Sequence, residues 1–92
     1  MTKPIRFSQH VRERMVLRGA AEEEVIETIH AGHWQPAREG KLQARLRFAF
    51  GAASPTNQKV YANKLVHVIF ADDPEEVVVI TVLVYYEGEI TP

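Results

Sequence analysis

The spacing of apolar residues changes at Gly32, and this change decides the class of fold. Before Gly32, apolar residues recur three and four positions apart, as they do on one face of a helix. After Gly32, the segment KLQARLRFAF alternates apolar and polar residues, which is typical of a strand with one buried face. Two further strand-like segments, KLVHVIF and VVVITVLVYY, are joined by the turn-forming ADDPEE. The pattern predicts an α+β fold, with an N-terminal αα-hairpin packed on one face of a small antiparallel β-meander of three to four strands.

Local signals predict where both helices begin and end. Ser8 is the predicted N-cap of the first helix, which should end at Leu17 or Arg18 before a left-handed Gly19. The second helix is predicted within AEEEVIETIHAG, because its first glutamates suit the positive end of the helix dipole. Few residues join the two helices, so they form a hairpin.

The segments between the regular elements carry turn-forming residues. HWQPAREGKLQ is predicted to contain a short edge strand, since its proline is tolerated only at a sheet edge, followed by a turn. GAASPTNQK is predicted to be a loop because it is rich in small and turn-forming residues.

Length and composition limit the class of protein. A chain of 92 residues predicts one domain, residues 1–92, because a second core would be too small to be stable. Cysteine is absent from the sequence, which excludes disulfides and cysteine nucleophiles. MTKPIRF lacks the apolar centre of a signal peptide, and the ten-residue run VVVITVLVYY is too short to span a bilayer as a helix. We therefore expect a cytoplasmic protein with no membrane partner.

No cofactor is implied by the motifs. His30 and His33 have a spacing that metal ligands use, but no cysteine or nearby carboxylate completes a set of three or four ligands. The sequence also has no glycine-rich phosphate loop. We expect neither a metal nor an organic cofactor.

The net charge of −1 conceals a segregation of charge. Ten of the twelve acidic residues fall in three short segments, and elsewhere the eleven Lys and Arg residues face only Glu13 and Glu39. This distribution fits a basic anion-binding face, and it equally fits acids that merely cap a helix and fill a turn.

His10, Arg14 and Arg18 form a row on the first helix, because residues four apart are neighbours on one helix face. A helical wheel places this row beside the core stripe of Val11 and Met15, so we expect His10 and Arg14 to be partly desolvated. Such a row favours a bound anion. The alternative is that the arginines extend into solvent or pair with a glutamate of the second helix.

The predicted strands carry a second polar cluster. The side chains predicted to face the helices are Leu46, Phe48, Val66, Val68, Phe70, Ile80, Val82 and Val84. The opposite face carries Arg45, Arg47, His67, Thr81 and Tyr85. Guanidinium and hydroxyl groups suit phosphate. The two clusters can share a site only where the first helix reaches past a sheet edge or where the sheet curls.

The segment FSQHVRERMVLRGAAEEEVIETI resembles the opening of the family called domain of unknown function 4258. In that family Ser/Thr-x-His, Arg-Met and Arg-Gly precede an acidic second helix, and VVVITVLVY resembles its Val-Ile-Thr-Val-Tyr ending. The resemblance implies the fold grouped with barnase, EndoU, colicin and RelE-type nucleases, many of them metal-independent ribonuclease toxins. Carried onto this chain, the motifs point to His10, Arg14, Arg18 and Thr81.

These observations lead to one functional hypothesis and one alternative. The hypothesis is a small, toxin-like, metal-independent endoribonuclease whose catalytic residues are His10, Arg14 and Thr81. His10 would act as general acid or base, Arg14 would hold the phosphate, and Thr81 would donate to a phosphate oxygen or orient His10. The predicted substrate-binding residues are Arg18, Arg45, Arg47, His67 and Tyr85. The expected partners are RNA and a cognate antitoxin or immunity protein. The alternative is a non-catalytic module that binds RNA or protein on the same fold.

Overall fold

A computed structural model describes residues 3–90 as two helices on a five-stranded sheet. In chain order the elements are β1 (Ile5–Arg6), α1 (Gln9–Arg18), α2 (Glu22–Ala31), β2 (Gln35–Pro36), a short 3-10 turn (Arg38–Gly40), β3 (Leu42–Ala53), β4 (Val60–Asp72) and β5 (Val77–Glu89). Residues 1, 2, 91 and 92, which belong to the predicted domain 1–92 and include the start of MTKPIRF, lie outside the described range. Within that range, no helix is long and apolar enough to cross a membrane.

The sheet has the strand order β1-β5-β4-β3-β2. Strands β2 to β5 pair antiparallel, which confirms the predicted meander, whereas β1 pairs parallel to β5. The α+β class is confirmed, but the prediction of three to four strands, all antiparallel, is wrong. The fifth strand was missed because β1 has only two residues, which is too short for any periodicity.

Both ends of α1 follow the predicted signals. The Ser8 hydroxyl accepts a hydrogen bond from the Val11 N–H at 3.1 Å. Gly19 ends the helix at φ 85°, and a side chain there would collide with the Tyr86 hydroxyl. The first turn of α2 lacks a side-chain cap at Ala21, and the Glu24 carboxylate instead accepts from the Ala21 N–H at 2.9 Å. The close approach of Gly19 to Tyr86 places the end of α1 against β5.

The two helices cover one face of the sheet. α1 packs along β5, and α2 packs across β3 and β4. The core between the layers contains Phe7, Val11, Met15, Ala20, Val25, Ile29, Ala44, Val66, Val68, Phe70, Val77, Val79 and Val82. Burying this apolar surface is the main force that holds α1 against β5.

A β-bulge in β5 changes which residues face the helices. Ile69 pairs with Thr81 and Phe70 pairs with Val79, so Ile80 is an extra residue in β5. Ile80 is 41% exposed, while Val79 and Val82 on either side of the bulge are both buried. The prediction that Ile80 faces the helices is therefore wrong, because the bulge shifts the alternation by one residue.

The predicted loop GAASPTNQK is shorter in the structure. β3 continues through Gly51 to Ala53, so only Ser54 to Lys59 lies outside a strand. A register shift between Ala49 and Ala52, with Gly51 at φ 66°, allows the strand to continue through this composition. The edge strand predicted in HWQPAREGKLQ is present as β2.

Candidate functional site

One pocket lies between α1 and the exposed edge of β5, and we call it the edge pocket. It has a volume of about 270 Å³. Its lining residues are His10, Val11, Arg14, Arg18, Ile80, Thr81 and Val82. The structure therefore brings together the helix row and the strand threonine, which the sequence analysis placed in separate clusters. They meet because α1 reaches the edge of the sheet.

The shortness of β1 leaves room for this pocket. β1 pairs only with Val77 and Val78, so within residues 3–90 β5 has no strand neighbour on that side beyond Val78. The backbone groups of such an edge are open to other partners. One of these backbone groups is the Val82 carbonyl oxygen, which accepts a hydrogen bond from Nη1 of Arg18 at 2.7 Å. This bond holds the guanidinium of Arg18 at the wall of the pocket.

The edge pocket carries positive charge without a counter-charge. In the part of the chain that the structure describes, no carboxylate lines this pocket. Among residues 3–90, neither Arg14 nor Arg18 forms an ion pair, whereas the neighbouring Arg12 pairs with Glu22 of α2 at 3.1 Å. The predicted pairing with a glutamate of the second helix therefore involves a different arginine. An unneutralised row of this kind attracts anions.

His10 and Arg14 are more exposed than the helical wheel predicted. Both side chains belong to exposed residues, while Arg18 is half-buried. The predicted partial desolvation of His10 and Arg14 is wrong, because no strand among residues 3–90 covers β5 here and both residues are exposed. A ligand can therefore reach both side chains from solvent.

The other predicted binding residues lie on the sheet face opposite the helices, which we call the outer face. Arg45 and Arg47 are on β3, which is separated from β5 by β4, a distance of roughly 10 Å. Neither lines the edge pocket. Arg47 forms an ion pair with Glu87 at 2.6 Å, and this hydrogen-bonded contact lowers the pKa of Glu87. Tyr85 is 49% exposed on the same face.

His67 is buried on the outer face, with only 7% of its surface exposed. Its Nε2 lies 2.8 Å from the Gln43 side-chain oxygen, and the Gln43 amide in turn donates to the Pro36 carbonyl oxygen at 2.8 Å. Burial lowers the pKa of His67, and the positive charge of Arg45 lowers it further. The neutral form of the imidazole is thus favoured. The two hydrogen bonds of Gln43 connect His67 on β4 to Pro36 on β2.

Two groups of the edge pocket are not among the predicted site residues, namely the Ile80 side chain and the Val82 carbonyl. Strand alternation predicts that Ile80 lies in the core, because the apolar run VVVI contains no polar residue that would reveal a bulge. Only its pairing with β4 shows that Ile80 lies outside the ladder. A backbone carbonyl at a strand edge has no signal in the sequence.

The fold and site define a small α+β domain with a cationic pocket at one sheet edge. The model of the family "Domain of unknown function (DUF4258)" matches residues 7–84, and the chain belongs to this family. The match includes α1 and the part of β5 that carries Thr81, so every residue of the edge pocket lies inside it. The resemblance seen in the two sequence motifs is confirmed. No curated protein and no solved structure gave a significant match.

Proposed function

We propose that this protein is a metal-independent endoribonuclease that cleaves RNA in the edge pocket. The observation that carries the proposal is the convergence of His10, Arg14, Arg18 and Thr81 on one pocket without a carboxylate. A phosphodiester is an anion, and nothing in this lining repels it. Mg²⁺ prefers carboxylate ligands, which the lining does not offer, so the chemistry falls to the side chains themselves.

The two arginines are suited to hold the phosphate. A guanidinium offers a planar set of N–H donors that matches two phosphate oxygens at once. Arg18 uses one donor on the Val82 carbonyl and keeps the others for the ligand. Arg14 lies one helical turn away and faces the same pocket. Together with the Thr81 hydroxyl, they would stabilise the charge that grows on the phosphate oxygens in the transition state.

His10 provides the proton transfer. The 2′-hydroxyl attacks the phosphorus, a new bond to the 2′-oxygen forms, and the bond to the 5′-oxygen breaks. The products are a 2′,3′-cyclic phosphate and a 5′-hydroxyl. One proton leaves the 2′-hydroxyl and one reaches the 5′-oxygen. A histidine is the usual side chain for such a transfer near neutral pH. When His10 takes up the proton of the 2′-hydroxyl, water protonates the leaving 5′-oxygen, and the hydroxide that results takes the proton from His10.

The outer face is suited to hold RNA beyond the cleaved bond. Tyr85 lies four residues from Thr81 on β5, roughly 13 Å along the strand. Its exposed ring can stack on a base, and Arg45, which has no ion pair among residues 3–90, can contact a phosphate. Arg47 contributes less because Glu87 neutralises it. The His67 ring packs beside the Tyr85 ring, with ring centroids 6.4 Å apart.

The test is a single-turnover cleavage assay on single-stranded RNA of mixed sequence with His10→Gln. We expect the rate to fall by roughly 10²–10⁴-fold, because that is the usual contribution of a general acid or base. His30→Gln is the matched control, since His30 is an exposed histidine on α2 outside the pocket, and its rate should equal that of the wild type. If folded His10→Gln cleaves RNA at the wild-type rate, the proposal is refuted and His67 becomes the next candidate.

A second candidate function is a module that binds RNA without cutting it. The observation that favours it is that His10 is the only histidine among the described residues that line the edge pocket, whereas cleavage uses two proton transfers. This candidate predicts an RNA affinity that falls steeply with salt, no product, and equal binding by the wild type and His10→Gln. Arg14→Gln should weaken binding in either case.

The charge of the edge pocket also suggests how the activity would be controlled. A cognate antitoxin or immunity protein with an acidic surface would complement His10, Arg14 and Arg18 and cover the pocket. Such a partner would inhibit cleavage and be displaced by salt. Co-expression with the product of a neighbouring gene, followed by co-purification, would identify it.

A further inference from the structure

A second pocket lies on the outer face, directly beside the edge pocket. We call it the outer-face pocket. It has a volume of about 590 Å³. Its apolar wall includes Pro36, Ile69 and Ile80, and its polar rim includes Arg38, Glu39 and Lys41. Ile80 lines both pockets, so the two cavities lie on either side of a single side chain.

The β-bulge explains why Ile80 can separate the two pockets. Ile80 is unpaired in β5 and 41% exposed, although large aliphatic side chains are usually buried. Ile69 pairs with Thr81 and lies next to Ile80 on β4. Together the exposed Ile80 and the half-buried Ile69 form an apolar surface beside the edge pocket.

The rim of the pocket is held in place before any ligand binds. Gln43 donates to the Pro36 carbonyl and contacts the buried His67, so it fixes the start of the 3-10 turn to the sheet. The Ala37 N–H donates to the Lys41 carbonyl at 2.8 Å and closes the turn. Glu39 adopts φ 57°, a left-handed conformation that is rare for a residue with a side chain. The turn therefore places Glu39 at the rim of the pocket.

We propose that the outer-face pocket binds the nucleobase next to the phosphate held in the edge pocket, with a preference for guanine. This inference rests on the proposed function and names its substrate subsite. A base has flat apolar faces that fit against Ile69 and Ile80, and a polar edge that faces the rim. Guanine combines carbonyl and ring-nitrogen acceptors, which suit Arg38 or Lys41, with N–H donors, which suit the Glu39 carboxylate. Uracil offers a carboxylate only one N–H.

The test is an NMR titration of the ¹⁵N-labelled full chain with guanosine and, separately, with uridine. Both probes lack phosphate, so the result does not depend on cleavage or on the edge pocket. We expect guanosine to shift the backbone amides of Lys41, Ile69 and Ile80, with an affinity about tenfold higher than that of uridine. Glu39→Gln should reduce the guanosine affinity to that of uridine. Glu23→Gln, an exposed carboxylate on α2, is the matched control and should change nothing.

Three results would overturn this assignment. They are equal binding of guanosine and uridine, an unchanged guanosine affinity in Glu39→Gln, and shifts that avoid the outer-face pocket. The proposed ribonuclease activity fails on a different measurement, which is cleavage by His10→Gln. A protein that cuts RNA without discriminating the two nucleosides would therefore lose this inference and keep the activity.

Discussion

Replacing Lys64 with Met should destabilise the protein far more than an ordinary surface change. Lys64 is a lysine on the buried face of β4, with only 6% of its surface exposed. Its Nζ donates to the Gly19 carbonyl oxygen at 2.7 Å and pairs with Glu24 at 2.8 Å. The Tyr86 hydroxyl donates to the adjacent Arg18 carbonyl at 2.6 Å. These side chains bind the carboxyl end of α1 to the sheet and so fix the helix that lines the edge pocket.

The magnitude follows from what the substitution removes. Met preserves the unbranched stem, so the main losses are the charged hydrogen bond, the ion pair and the cation–π contact of Nζ, which lies 5.2 Å from the centroid of the Phe50 ring. Removing one partner of a buried pair costs about 3–5 kcal/mol. Glu24 is partly exposed and keeps its bond from the Ala21 N–H, which reduces the cost of losing Lys64. A loss of about 2–3 kcal/mol in unfolding free energy is therefore expected.

Urea denaturation followed by circular dichroism measures this loss. With an m-value of about 1 kcal/mol/M for so small a chain, the midpoint should fall by roughly 2–3 M. Lys59→Met is the matched control, because Lys59 is exposed and its ion pair with Glu89 is 3.5 Å long. A surface pair of that kind contributes about 0–1 kcal/mol. Equal midpoints for the two variants, with unchanged m-values, would show that Lys64 does not anchor α1.

Three other substitutions test contacts of the outer face and of the start of α1. Arg45→Gln should raise the pKa of His67, measured by NMR titration, because the positive charge of Arg45 helps burial to lower it; an unchanged pKa would contradict that cause. Since the pKa of His67 is lowered by folding, its protonation opposes folding, so stability is lost as pH falls below the ordinary histidine value of about 6.5. His67→Gln should reduce that loss in urea titrations between pH 7 and 5. Ser8→Ala should cost about 1 kcal/mol, because the hydroxyl caps α1 through the Val11 N–H, and a cost near zero would argue against the cap.

The helical half of the site could be predicted from the sequence because its determinants are local. Ser8 and Gly19 signal the ends of α1, and the spacing of four residues places His10, Arg14 and Arg18 on one face. Each of these inferences depends on a few neighbouring residues, and the structure agrees with all of them.

The remaining features depend on pairing between distant parts of the chain. The bulge at Ile80 exists only in relation to β4, and the exposed edge of β5 depends on a parallel pair between β1 and β5 that no short pattern reveals. The environment of Lys64 likewise requires a carbonyl 45 residues earlier in the chain. Strand alternation gave the correct face for Thr81 but could not show that α1 would reach it.

The ends of the RNA product test the central claim most directly. Wild-type protein and His10→Gln, purified in parallel, would be incubated in EDTA with an RNA oligonucleotide and with the same oligonucleotide carrying a 2′-deoxy sugar at the cleaved position. The account predicts a 2′,3′-cyclic phosphate and a 5′-hydroxyl from the wild type alone, and no cleavage at the deoxy position. Product that ends in a 5′-phosphate, product that requires a divalent metal, or equal product from His10→Gln would contradict it.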